Sequence, residues 1–107
     1  MSIIPGTTPT LRIVLDGSIK GCRAAELCIQ CDRVQVIKRL DDLVLSADGT
    51  VITATLSQKE TLLFPDNKVA LVQLRVLIGE AALATNVMSV STKELLHREE
   101  LIAYGNG

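Results

Sequence analysis

Cys28-Ile29-Gln30-Cys31 has residue types and a spacing that match known chemistry, a C-x-x-C of the kind that holds zinc or cycles between dithiol and disulfide. A zinc ion needs about four ligands in a tetrahedral array. The only other candidates are Cys22 and the single histidine, His97, far away in sequence. A redox pair of the thioredoxin type needs its motif on a strand-to-helix turn, whereas Ala25 to Ile37 has the residues of two strands with Asp32-Arg33 between them. The residues therefore predict three buried free thiols that act as small apolar side chains. No metal and no cofactor is expected.

The remaining chemistry-bearing groups are scattered. Nucleophilic catalysis by Ser, Thr or Cys needs a base, and His97 sits among Leu96, Arg98, Glu99 and Glu100, where a solvated side chain is expected. Asp41-Asp42 and Glu99-Glu100 are adjacent pairs, and adjacent side chains on a strand or helix diverge, so neither pair is set to face one substrate atom. The glycines are isolated and form neither a Walker loop nor a dinucleotide fingerprint. Lys38-Arg39 is followed at once by Asp41-Asp42, and the formal charge is -1, so there is no basic groove for nucleic acid. With 2% aromatic residues, the chain is poorly equipped to stack bases, sugars or flat cofactors. No enzymatic activity is expected.

The elements that carry these residues read as strands. Leu11, Ile13 and Leu15 alternate with Thr10, Arg12 and Asp16, the period-two pattern of a half-buried strand. Ala25, Leu27, Ile29 and Cys31 repeat it, and 33–39 continues it as an antiparallel neighbour. Ala47-Asp48-Gly49 between 43–46 and 50–56 signals a hairpin. Ser57 and Glu60 stand at capping-box spacing and open one short helical turn. Phe64-Pro65-Asp66-Asn67 reads as a turn. Runs 69–78 and 81–90 flank Gly79-Glu80, which suits a type II′ hairpin.

About seven strands with turn signals between them predict an all-β fold, an immunoglobulin-like antiparallel β-sandwich with a short helical turn and a C-terminal arm. The chain of 107 residues is expected to be one domain, 1–107, with an extended N-terminal arm at 1–9 and a C-terminal tail at 91–107. Leu95, Leu96, Leu101 and Ile102 fit a short amphipathic helix or an extended arm that needs a surface to cover. Met1 to Gly6 lacks the charged and apolar regions of a signal peptide. The apolar run 69–78 is far short of the ~20 residues that cross a bilayer and reads as a buried strand.

Three stretches together resemble one family. Ile4-Pro5-Gly6-Thr7-Thr8-Pro9-Thr10 is similar to the start of the small N-terminal domains of phage baseplate upper proteins and of their stand-alone relatives encoded in tail-gene clusters. Leu56-Ser57-Gln58-Lys59-Glu60-Thr61-Leu62 resembles that family's polar link after the Asp-Gly hairpin. Val72-Gln73-Leu74-Arg75-Val76, then Gly79, Ala84-Thr85 and 90–95, resembles its final hairpin and end. The likeness spans nearly the whole chain, and order and spacing carry it. It implies a non-catalytic structural subunit of a phage or prophage tail or baseplate, part of the host-recognition apparatus. Such a subunit would be made in the bacterial cytoplasm and carried in the virion tail. Its expected partners are other tail proteins and further copies of itself, without nucleic acid or membrane.

The residues point to where such contacts would lie. Thr7, Thr8 and Pro9 form a stiff extended lead-in, and Leu95, Leu96, Leu101 and Ile102 supply apolar cover, so both arms are candidate assembly interfaces. Strand edges at 69–78 or 11–15 offer backbone groups to another copy. The competing expectation is a free-standing immunoglobulin-like module that recognises carbohydrate or peptide, with only Tyr104 and Phe64 available as stacking platforms.

Overall fold

Alternating apolar and polar residues place one row of side chains between two sheets and the other in solvent. In the computed structural model, which describes residues 2–103, the strands are β1 (Ser2–Ile3), β2 (Thr10–Val14), β3 (Ala24–Cys31), β4 (Val34–Arg39), β5 (Leu43–Leu45), β6 (Val51–Thr55), β7 (Val69–Ile78), β8 (Ala81–Ala84) and β9 (Met88–Thr92). A 3-10 turn at Leu40–Asp42 joins β4 to β5, and the single-turn helix α1 (Gln58–Leu62) lies between β6 and β7.

The larger sheet runs β1, β9, β7, β3, β4, with β8 also on β7, and the smaller runs β2, β6, β5. The chain is thus the all-β sandwich that its strand spacing predicts. Its strand order is the immunoglobulin-like one: β9, β7, β3 and β4 stand where strands G, F, C and C′ do in a variable-type domain, and β2, β6 and β5 where B, E and D do.

The core is aliphatic. Leu27 and Ile29 from β3, Val72 and Leu74 from β7, Leu11 from β2 and Ile52 from β6 are buried in one cluster. Each such side chain contributes roughly 1.5–3 kcal/mol through the surface it removes from water. Phe64, the only phenylalanine, is 0% exposed and belongs to the same cluster.

The expected hairpins form. β5 and β6 pair with Leu45 opposite Ile52, around Gly49 at φ +73°. β7 and β8 pair with Ile78 opposite Ala81, and Gly79 alone in that turn takes a positive φ, +58°, as a type II′ turn requires. Ser57 and Glu60 close the capping box on α1, with Glu60 N–H donating to Ser57 Oγ at 3.1 Å and Ser57 N–H donating to Glu60 Oε1 at 2.8 Å.

Three expectations are corrected. The run 69–78 is not an edge, because β7 is paired with β3 on one side and with β8 and β9 on the other. Nor is it buried throughout: Ala70, Val72, Leu74 and Val76 face inward while Val69, Leu71 and Arg75 stay exposed, as a strand with one solvated face must. The run 81–90 is two strands. β8 and β9 occupy successive parts of the same β7 edge, and the residues between them number one more than those opposite, which makes a bulge. Thr85 holds it: its N–H donates to the Leu74 carbonyl at 2.9 Å, and its hydroxyl accepts from Leu74 N–H at 3.1 Å.

The chain start also differs from a free arm. Ser2–Ile3 pairs in parallel with Ser91–Thr92, and Ile3 is fully buried. Two residues are too few to show a periodicity in sequence.

Candidate functional site

The two terminal segments named as candidate interfaces both bond to α1 and meet beside it. The capping box sets the orientation of α1, and Lys38 on β4 fixes its first turn by donating from Nζ to Glu60 Oε1 at 2.7 Å. Burial pushes the Glu60 carboxyl up, but the bonds from Lys38 and Ser57 outweigh it and hold the pKa below the ordinary value.

Thr61, fully buried in the next position, reaches the N-terminal segment. Its hydroxyl accepts from Gly6 N–H at 2.9 Å and donates to the Thr7 carbonyl at 2.8 Å. Thr7 folds back locally, its hydroxyl donating to the Ile4 carbonyl at 2.6 Å. Thr7 and Thr8 are exposed and Pro9 is half-buried, while the Pro9 carbonyl accepts from Leu56 N–H at 2.9 Å. The lead-in is therefore fixed to the body by its backbone and presents its threonine side chains outward.

The C-terminal segment takes the extended form of the two that the sequence allows. Ser91 and Thr92 complete β9, and no helix forms over 93–103. Thr92 anchors it: its hydroxyl donates to the Pro65 carbonyl at 2.7 Å and accepts from Lys68 N–H at 2.8 Å. Lys93 N–H donates to the Ile3 carbonyl at 2.8 Å. Leu95 is half-buried, its Cδ2 against Gly6 beside Leu62, which brings the two terminal segments into contact. Arg98 then forks onto the Asp66 carboxylate and the carbonyls of Leu62 and Phe64. Gln58 exchanges two hydrogen bonds with the backbone of Leu101, at 2.7 and 3.0 Å.

Beyond those ties the segment is apolar and open. Leu96 is 93%, Leu101 80% and Ile102 81% exposed, and Leu63 beside α1 is 58% exposed. Of the candidate residues, Leu95 is thus a packing residue, and Leu96, Leu101 and Ile102 are exposed. The roles of Thr61, Arg98 and Gln58 were not read from sequence. Their partners lie 54, 32 and 43 positions away, beyond the reach of a local pattern.

The groups considered for catalysis stay apart. Cys31 is buried and points inward from β3, whereas Cys28 is half-buried, three positions back on the same strand and so on its opposite face. The thiols of the C-x-x-C therefore diverge. Cys22 is also half-buried, so the expectation of three buried thiols holds for Cys31 alone. Burial raises the Cys31 pKa, with a further push from Asp32. Asp42 caps the 3-10 turn by accepting from Arg39 N–H at 3.2 Å. The His97 side chain is 81% exposed, 3.6 Å from Glu99. Among the described residues no group of three or more His, Cys, Asp or Glu could hold a metal ion, and no helix is long and apolar enough to cross a membrane.

Two concave surfaces stand out among the described residues. A groove of about 530 Å³ opens between β2 and the β8–β9 region, with Ile13, Leu15, Leu74, Val76, Leu83 and Met88 in its lining. A smaller hollow of about 240 Å³ lies on the larger sheet, where Glu26 stands between Arg39, 3.8 Å away, and Arg75, 3.4 Å away. No aromatic residue lines either one. Phe64 is fully buried and unavailable for stacking, and Tyr104 lies outside the described residues. In comparisons with known proteins, the chain matches no family model, no curated protein and no solved structure.

Proposed function

We propose that this chain is a non-enzymatic structural subunit of a phage or prophage tail or baseplate that acts by protein–protein assembly through its terminal segments. The observation that carries the assembly role is the convergence of both segments on α1, which holds their backbones in place while Leu96, Leu101 and Ile102 remain exposed. Anchored backbone with uncovered apolar side chains is the arrangement expected of a docking surface rather than of a free tail. The assignment to a tail rests on the family resemblance of 4–10, 56–62 and 72–95. In a symmetric assembly a neighbouring subunit would cover these leucines and the Thr7–Thr8 lead-in.

Light scattering coupled to gel filtration tests the assembly role. The chain is expected to form discrete oligomers larger than a dimer. Replacing Leu96, Leu101 and Ile102 together with serine is expected to abolish them while leaving the thermal midpoint within about 2 °C, since exposed side chains contribute little to folding. Oligomers larger than a dimer that survive the triple replacement would remove the terminal segments as the interface.

A further inference from the structure

The groove beside β2 has as its rim a strand edge with nothing paired to it. β2 bonds β6 through its odd-numbered residues: Leu15 N–H donates to the Thr50 carbonyl at 2.8 Å, and Leu56 N–H donates to the Pro9 carbonyl at 2.9 Å. In an antiparallel ladder such positions alternate with ones whose backbone groups point the other way. The N–H and C=O groups of Arg12 and Val14 therefore face the outer edge, and among the described residues no strand pairs with them. Their side chains stand on the solvent face of the smaller sheet, with Val14 66% exposed and Asp16 exposed beyond it.

We propose that this edge pairs with the same edge of a second copy, antiparallel and centred on Val14. Arg12 and Asp16 lie two positions on either side of Val14, so a two-fold arrangement sets Val14 against its counterpart and each Arg12 against the Asp16 of the other copy. The backbone groups that meet are the ones left free by β6. Neighbouring registers do worse: centring on Ile13 places Arg12 opposite Val14 and leaves both charges without a counter-ion, and centring on Arg12 opposes two guanidiniums. The pairing joins two three-stranded sheets edge to edge. It also brings Ile13 and Leu15 of the second copy to the mouth of the groove, whose other wall carries Leu83 and Met88. This contact is separate from the terminal segments and does not depend on them.

Charge exchange tests the register, in the background where Leu96, Leu101 and Ile102 are serine so that only the β2 edge is read. That protein is expected to dimerise. Arg12→Glu or Asp16→Arg alone opposes like charges twice and is expected to weaken the dimer by about tenfold or more, while the double exchange restores it. Val14→Pro removes an N–H that points away from β6, at an edge position where proline is tolerated, so the fold should persist while the dimer is lost. A strict monomer in that background, a dimer that survives Val14→Pro, or a double exchange no tighter than its singles would each overturn the proposal. The strict monomer would leave this edge to an extended segment of a different protein.

Discussion

The hydroxyl of Thr61 donates to the backbone carbonyl of Thr7 at 2.8 Å and accepts from the N–H of Gly6 at 2.9 Å, tying the helical turn to a segment 54 positions earlier in the chain. Thr61→Val keeps the shape of the side chain but leaves the Gly6 N–H and the Thr7 carbonyl without these partners, so it should cost about 1–3 kcal/mol. A urea unfolding curve would show it, and Thr61→Ser should recover most of the loss. Equal stability of the valine and wild-type proteins would mean that water replaces the tie freely.

Gly49 combines a left-handed backbone with a close approach. Its φ is +73°, and a Cβ there would lie 2.6 Å from Lys20 N and 2.6 Å from Ser18 Oγ. Gly49→Ala should therefore destabilise the chain by about 1–3 kcal/mol and loosen the β2–β3 loop, whose Ile19 N–H donates to the Gly49 carbonyl at 2.9 Å. Gly17→Ala is the control, with nothing within 4 Å of its Cβ position. The two midpoints should separate clearly in one denaturant series.

Asp48 shapes the acid limb of stability. Its Oδ1 accepts from the Ser46 hydroxyl at 2.7 Å, the Thr50 hydroxyl at 2.7 Å and Thr50 N–H at 3.1 Å, and these bonds lower its pKa from 3.8 to about 2. A folded pKa below the unfolded one stabilises the fold fully above the unfolded value and loses that contribution as pH falls through the folded value. The Glu60 pKa is also lowered on balance and adds to the same limb. Stability should thus decline between about pH 4.5 and pH 2, and Asp48→Asn should flatten part of that decline. Carbon-detected NMR titration of Asp48 would report its value directly. A midpoint at the ordinary carboxylate position would refute the bonding described for the hairpin tip.

Thiol labelling of the folded chain should separate two classes of cysteine. Cys31 is buried and its pKa is raised by desolvation, so it should react only through opening of the sandwich. Cys22 and Cys28 are half-buried and should react sooner. Since Cys28 and Cys31 occupy opposite faces of β3, mild oxidation should not join them. A Cys28–Cys31 disulfide recovered from folded protein would contradict the strand geometry.

Local signals carried most of the architecture. Leu11 and Ile13, or Ala25 through Cys31, display their inward row as strict alternation, and Asp48-Gly49 and Gly79-Glu80 mark their turns by conformational demand. What stayed hidden depends on distant partners. Leu83 stands opposite Val76, and Met88 and Val90 stand opposite Val72 and Ala70, all inward-facing positions of β7, so the inward row passes from odd to even numbers between β8 and β9. Thr85 produces that change by answering Leu74 with its side chain, and nothing in 81–90 alone announces it. For the terminal segments, threonine, proline and leucine content suggested contact surfaces. Only the fold shows Leu95 turned onto Gly6 and Leu96 left outside.

The parallel pairing of Ser2–Ile3 with Ser91–Thr92 joins positions 89 apart in the chain. Contacts of such long sequence separation carry a large loop-closure entropy, so this pairing should form late in refolding, after the strands between its two halves have associated. Until then Ile3, fully buried in the finished molecule, remains in water, and one end of the core lacks its cover. The same docking sets Gly6 and Thr7 against Thr61 and so fixes the lead-in beside the C-terminal segment.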